Sequence, residues 1–265
     1  MPTRFGQNFL TDEQIAQKIA ELANIEDANV LEIGPGKGIL TKYLVKKARR
    51  VLAVEVDRKL IALLKNKFGK IKITEGDILK INLPKLIEEN NFENYKIVAN
   101  LPYYITSPII RLLLETKYPP SEMILMVQKE VGERIVALGN KESILSISVK
   151  FYAEPEILFY VSREKFSPVP EVNSLVIRIK RKDNLPKADA SEFFSLVRAG
   201  FSAKRKMLVN NLINLGYPRA KLLGKMKKAG LEPGVRAERL GVEEWVKLYL
   251  ELKTKIEKRK ATTKI

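Results

Sequence analysis

Four short stretches carry residue types that could do chemistry, and two residue types are missing altogether. The stretch Glu32-Ile33-Gly34-Pro35-Gly36-Lys37-Gly38 puts three glycines at alternate positions behind an acidic residue. Glycines there let the backbone turn sharply and approach a ligand with no Cβ in the way. The turn runs into an amphipathic segment, and free N–H groups at a helix start favour negative or polar ligand groups. In Asn100-Leu101-Pro102-Tyr103, the proline removes a backbone donor and stiffens the turn. It aims the Asn100 carboxamide and the carbonyls around Leu101 into one space, with the Tyr103 ring beside them. Two oxygens and a flat ring suit a planar base carrying an exocyclic amine. The oxygens accept its two N–H bonds and turn its lone pair outward, while the ring stacks on the base. The carboxylates Glu55 and Asp77 each follow an apolar run, and Lys204-Arg205-Lys206 forms a basic knot.

The missing types are cysteine and histidine. Without them there is no disulfide framework, no cysteine–zinc site, no thiol nucleophile and no histidine base. Group transfer by this chain should act on an atom that is already nucleophilic, such as an amino nitrogen. No resident metal is expected. The net charge is +17, of which +12 lies in residues 181–265. A basic region of that size reads as an electrostatic footprint for nucleic acid, although a solvated lysine-rich surface would look the same. At 45% hydrophobic residues there is enough for a real core. No apolar run reaches the 18 residues of a membrane span. The opening residues MPTRFGQNFL lack a signal-peptide core, so the expected location is cytoplasmic.

These stretches need an α/β frame. The glycine turn is not a dinucleotide fingerprint, because Ile39 stands where G-x-G-x-x-G needs glycine, and Gly38 after Lys37 breaks the P-loop pattern. Apolar runs ending at Glu32, Glu55, Glu75, Ala99 and Val127 read as strands buried on both faces, followed by Ile157–Val161 and Leu175–Ile179, seven in all. Glu55, at the tip of the second strand, is placed to accept both hydroxyls of a ribose; Asp77, after the third, is placed to accept from an adenine amino group. Asp57 fits a helix N-cap, and Asp77 is equally readable as a turn aspartate. Thr11–Gln14 looks like a helix start, with Phe5, Phe9 and Leu10 either stapled to the core or forming a lid. The loop Phe166–Ser174 is held extended by prolines, and Phe166 either packs in the core or walls the base. Arg181–Lys187 reads as a linker. Beyond it, helices are expected at Glu192–Phe201, Met207–Leu215, Arg219–Ala229 and Glu243–Leu252, followed by a basic, frayed tail. The expected domains are residues 1–182 and 188–265.

The pattern E-x-G-x-G-x-G resembles the first motif of S-adenosylmethionine-dependent methyltransferases. With GQNFL, LEIGPGKG, NLPYY and FSPVPEVNS in this order, the chain resembles the ribosomal RNA small-subunit adenine dimethyltransferase family along nearly its whole length. The resemblance implies a seven-stranded Rossmann-like α/β class I methyltransferase domain, then a small helical RNA-binding domain. It implies S-adenosyl-L-methionine as donor. It implies N6,N6-dimethylation of two adjacent adenosines in a hairpin loop near the 3′ end of small-subunit rRNA, within a partly assembled small ribosomal subunit. By the same resemblance, Asn8, Leu10, Gly34 and Gly36 line the cofactor pocket, Glu55 holds the ribose and Asp77 the adenine. Asn100 sits between cofactor and target amine with Leu101, Tyr103 stacks and Phe166 opposes it. Apart from the resemblance, Lys204, Arg205 and Lys206 at a helix start are badly placed for the helix dipole, which phosphate binding would explain and plain solvation would too. Asn173 stands where relatives often have aspartate, a difference expected to touch loop geometry only. A monomer is expected.

Three rivals share features. A large-subunit rRNA adenine methyltransferase of the macrolide-resistance type has the same core motifs, but NLPYYITSPI and VRAGFSAKRKMLVNNL look more like the small-subunit family. A non-catalytic RNA-binding assembly or transcription factor on this fold would not need Asn100, Tyr103, Glu55 and Asp77 together. DNA adenine methyltransferases usually carry D/N-P-P-Y/F/W, whereas here Leu101 replaces the first proline.

Overall fold

The computed structural model describes residues 8–69 and 71–253. The expectations for Phe5, for the first two residues of GQNFL and for the basic tail fall outside the described residues. In chain order the elements are β1 (Phe9–Leu10), α1 (Glu13–Leu22), β2 (Asn29–Ile33), α2 (Thr41–Lys47), β3 (Arg50–Glu55), α3 (Arg58–Lys67), β4 (Lys72–Glu75), α4 (Leu83–Glu89), β5 (Tyr95–Asn100), α5 (Thr106–Glu115), β6 (Glu122–Gln128), α6 (Lys129–Val136), α7 (Ile144–Tyr152), β7 (Ala153–Val161), β8 (Phe166–Ser167) and β9 (Ser174–Arg181). Helices α8 (Ala190–Gly200), α9 (Leu208–Leu212), α10 (Arg219–Lys228) and α11 (Val242–Lys253) complete the chain.

Seven strands form one sheet in the order β4-β3-β2-β5-β6-β9-β7. The five from β2 to β6 are parallel, and β9 runs antiparallel to both β6 and β7. The parallel strands are the continuous apolar runs of the sequence, and all five residues of β2 are buried. From β2 the chain works outward to β3 and β4, then returns to lay β5 against the other side of β2. That reversal opens a crevice at the carboxyl ends of β2 and β5, the place where ligands of open α/β sheets bind. Helix α1, capped by Asp12 through the Gln14 and Ile15 amides, lays Ala16, Ile19 and Ala20 into the same core cluster as Val30, Val98, Ile124 and Val176.

The chain divides into two compact units. One comprises the described residues up to Val136 together with Ala153–Lys182; the other comprises Ala137–Tyr152 and the chain from Asp183 on. This differs from a division at residues 182–188, because the segment carrying α7 belongs with the C-terminal helices. The reason is an aromatic cluster: the Phe151 ring lies 4.7 Å from Phe193 and 5.2 Å from Phe194, centroid to centroid. The second unit is helical, with Trp245, Phe193 and Leu248 at its centre. Gly200 is required where α8 meets Trp245, since a Cβ there would come within 2.3 Å of the indole ring.

Candidate active site

The crevice at the switch point is a cleft of about 770 Å³, lined by the glycine turn, the N-terminal segment and the Asn100–Tyr103 turn. Gly34, Gly36 and Gly38 all adopt positive φ, at +65°, +60° and +82°. L residues with a side chain rarely accept that backbone. A Cβ on Gly34 would meet nothing within 4 Å, so the space above it is open cleft. On Gly36 it would sit 3.1 Å from the Phe9 ring, which lies across the turn with Lys37 Nζ 4.8 Å from its centroid. Both the lid and the core-staple readings of the N-terminal segment hold in part: Asn8 and Phe9 line the cleft, while Leu10 lines it and is also buried in the core. The segment is fastened by β1 pairing with β8, by the Thr11 N–H donating to the Lys165 carbonyl at 2.9 Å, and by the Lys165–Asp12 ion pair at 2.7 Å.

Glu55 is buried, and its carboxylate ties two strand ends together. One oxygen accepts the amides of Val56 and Asp57, at 2.8 and 3.0 Å, and the other accepts the Gly36 N–H at 3.2 Å. Asp77 is partly exposed and accepts the Leu79 N–H at 3.0 Å, so its turn-aspartate reading holds locally. Neither side chain lines the cleft itself. They stand at the carboxyl ends of β3 and β4, joined to each other by the Gly76 N–H donating to the Glu55 carbonyl at 2.9 Å.

Asn100 ends β5, and the Leu101 N–H still pairs with the Met126 carbonyl of β6 at 3.1 Å. The sheet therefore holds the turn up to the point where Pro102 breaks it. Asn100, Leu101, Pro102 and Tyr103 all line the cleft. The Leu101 side chain is buried, so what it offers the cleft is its backbone. Tyr103 is half-buried and shares a 2.8 Å hydrogen bond with the Ser174 hydroxyl at the start of β9. Burial raises its phenol above the usual range, partly offset by that bond. Phe166 is a correction to the base-wall reading. It is 2% exposed, sits opposite Leu10 in the β1–β8 pair and packs into the core.

The cleft also holds a carboxylate that was not among the candidate site residues. Glu32 lines it, is 1% exposed, and accepts the Thr41 hydroxyl at 2.7 Å. Burial pushes its carboxyl up to about 8, the Thr41 bond partly offsets this, and the nearby Glu55 charge adds to it. The signal was available: a carboxylate inside a five-residue strand that is otherwise apolar or buried is costly unless it is used. Lys204, Arg205 and Lys206 are exposed in the turn between α8 and α9, ahead of the helix start rather than on it. The Asn211 amide fixes that turn by donating to the Ala203 carbonyl at 3.1 Å. Among the described residues no cluster of three or more acidic side chains could hold a metal, and no helix is long and apolar enough to cross a membrane.

A glycine turn, a carboxylate behind it and an Asn-Leu-Pro-Tyr turn around one cleft match a known family. The model of the family described as ribosomal RNA adenine dimethylase matches residues 1–254. The chain belongs to the ribosomal RNA adenine dimethylase family. It is 42% identical to a protein of Fusobacterium nucleatum named ribosomal RNA small subunit methyltransferase A, over 92% of this chain and 95% of that protein. It is equally 42% identical to one of the same name from Streptococcus pneumoniae, over 94% and 91%. Among solved structures, a dimethyladenosine transferase from Plasmodium falciparum superposes with a TM-score of 0.82 at 28% identity, covering 93% of this chain and 98% of that one. The 23S rRNA methyltransferase ErmE superposes with a TM-score of 0.76 at 28% identity, covering 93% and 100%. The fold of this family member is thus that of the class I methyltransferases.

Proposed function

We propose that this protein transfers methyl groups from S-adenosyl-L-methionine to the N6 amines of two adjacent adenosines in a hairpin loop near the 3′ end of small-subunit rRNA, giving N6,N6-dimethyladenosine, and that it does so as a monomer on a partly assembled small subunit. The observation that carries the reading is the cleft, which brings the glycine turn and the Asn100–Tyr103 turn to one place. The small-subunit choice is supported by the relatives at 42% identity.

When bound, S-adenosylmethionine supplies an electrophilic methyl group. The cleft residues fit it: an open glycine cradle at Gly34 and a polar lid residue at Asn8, with the buried carboxylate of Glu55 behind the turn, bound to the Gly36 N–H. Gly34 and Gly36 would hold its methionine part, with Leu10 closing the apolar side. Glu55 would hold the ribose through the lone pairs that the Gly36 amide leaves, and Asp77 the adenine. Glu32, which lines the cleft, would supply compensating charge to a cationic donor once its own proton is released.

The target adenine, taken out of its stack, lies on the Tyr103 ring. The Asn100 carboxamide oxygen and a backbone carbonyl of the Leu101 turn accept its two amine hydrogens. Those bonds strengthen as positive charge grows on N6, which is where fixed dipoles accelerate a reaction. Each methyl gained by N6 is matched by one N6 proton lost to bulk water, so the first transfer leaves one N–H for the second. No general base has to titrate near neutral pH, in keeping with a chain that has no histidine. RNA affinity comes from the helical unit, with Lys204, Arg205 and Lys206 on the phosphates.

The test uses methyl-labelled S-adenosylmethionine with unmethylated small subunits and, separately, unmethylated large-subunit rRNA, mapping the label by primer extension. Label at adjacent adenosines near the small-subunit 3′ end supports the proposal. Label in large-subunit RNA would move the enzyme to the resistance-type branch.

A further inference from the structure

The opposite, amino end of the sheet carries a second cleft, at the starts of β3 and β4. It lies away from the glycine turn and shares no lining residue with the first cleft. Its rim holds three cations, Arg49, Arg50 and Lys72, and no acidic residue lines it. Its apolar lining includes the exposed Val45 and the partly buried Ile71, with Phe92 buried beneath the Arg50 guanidinium.

The arginines are held in place before any ligand arrives. Arg50 donates to the backbone carbonyls of Asn90 and Asn91, at 2.7 and 3.2 Å, and its guanidinium stands 5.2 Å from the centroid of the Phe92 ring. Arg49 donates to the Asn29 side-chain oxygen at 3.1 Å. A guanidinium has five N–H donors, so each keeps several for a ligand. A second observation comes from Asn90, which lines the same cleft and is 6% exposed. Its amide nitrogen donates to the Leu86 carbonyl at 2.7 Å, while its side-chain oxygen has no hydrogen-bond partner. A buried acceptor left unpaired is costly, and a ligand N–H or O–H would satisfy it.

Cations around the mouth call for an anion, and pre-positioned guanidinium forks suit phosphate. The apolar side chains of Val45 and Ile71 and the waiting acceptor call for a flat or hydroxyl-bearing group next to that phosphate. We propose that this cleft is a second ligand site that takes one nucleotide, free or as a unit of an RNA strand, with its phosphate on Arg49, Arg50 and Lys72 and its base or ribose against Val45 and Ile71 beside Asn90. This goes beyond the methyl-transfer reading and does not depend on it.

The experiment is a backbone amide NMR titration of the ¹⁵N-labelled full chain. The first cleft is saturated beforehand with S-adenosylhomocysteine, whose own shifts around Gly34–Leu40 report on that site separately. Adenosine monophosphate, inorganic phosphate and a five-nucleotide single-stranded RNA are then added in separate runs. The expected result is shifts confined to Val45–Leu52, Ile71–Lys72 and Asn90–Phe92, with affinity for the nucleotide weakened about tenfold or more in Arg49→Gln/Lys72→Gln. Lys72→Glu, a change at an exposed position, gives the same loss if the double variant folds poorly. Shifts with the pentanucleotide but not the monophosphate assign the site to an RNA strand; shifts with both assign it to the nucleotide unit itself. Equal affinity for inorganic phosphate alone would overturn the nucleotide reading, and no shift at these residues with any of the three would overturn the site.

Discussion

Replacing Glu32 by glutamine should stabilise the protein at alkaline pH, because the native fold holds this carboxyl protonated. Glu32 is buried in β2, and its carboxyl is pushed from an ordinary 4.5 up to about 8. Below pH 4.5 the folded and unfolded chains both carry the proton, and Glu32 costs nothing. Between 4.5 and 8 the unfolded chain ionises while the folded one keeps its proton. Stability then falls with rising pH by up to about 1.4 kcal/mol per pH unit. Above 8 both forms are ionised and the loss is complete, at an upper bound of about 5 kcal/mol. Glutamine has the same shape, keeps an acceptor for the Thr41 hydroxyl, and cannot ionise. Asp12 and Glu13, whose carboxyls are held low by the Lys165 and Tyr43 bonds respectively, lose their contribution as pH falls below the usual carboxylate range. They act outside this window and equally in both proteins. The assay is urea unfolding of wild type and Glu32→Gln between pH 5 and 9, with the difference plotted against pH. The difference should grow steadily up to about pH 8 and then level off, reaching a midpoint shift of about 10 °C in matched thermal scans. Parallel curves for the two proteins would refute a buried, protonated Glu32.

The same carboxyl couples donor binding to protons: between pH 6.5 and 8, binding of cationic S-adenosylmethionine should release a proton from Glu32, read by calorimetry in buffers of different ionisation heat, and Glu32→Gln should abolish that release. Gly34→Ala and Gly36→Ala should each lose about 1–2 kcal/mol of stability, because both positions have left-handed backbone. Equilibrium dialysis should find donor binding lost in Gly34→Ala, whose Cβ enters open cleft, and in Gly36→Ala weakened by displacement of Phe9. Tyr103→Phe keeps the stacking ring and should turn over within a few-fold of wild type, whereas Tyr103→Ala should lose about 1–3 kcal/mol of base stacking in transition-state binding, measured as kcat/KM. Alanine at Lys204, Arg205 and Lys206 together should flatten the slope of log Kd for RNA against log salt by roughly 0.7–0.9 for each phosphate no longer neutralised; an unchanged slope would show that these three side chains do not neutralise phosphates.

Most of the parallel half of the fold was legible because β2, β3, β5 and β6 are largely buried and read as apolar runs, whereas the edge strand β4 is short and partly exposed. The glycine turn was legible because three glycines at alternate positions have few other uses. Thr11–Gln14 announced the first helix, which Asp12 caps, and Asp57 is the N-cap that its position suggested. What stayed hidden was decided by distant partners. The segment Ile144–Tyr152 is as apolar as a strand, and only the rings of α8 assign it to the helical unit. Phe166 left two readings open at the sequence level, and its pairing with Leu10, far away along the chain, settles it in the core. Glu32 was passed over as part of a glycine motif, since sequence alone gives no measure of how deeply β2 is buried. Arg49, Arg50 and Asn90 looked like unrelated surface residues until β3 and α4 brought them to one cleft.

The central claim is that the Asn100 turn performs the chemistry while other surfaces hold the RNA. It is tested most directly by measuring single-turnover methyl transfer and RNA affinity on the same preparation of Asn100→Ala, with small subunits as substrate. The account expects the transfer rate to fall about 10²–10³-fold, the usual cost of losing one fixed dipole at a developing charge, with the RNA dissociation constant within about twofold of wild type. A rate that holds, or a rate and an affinity that fall together, would contradict it.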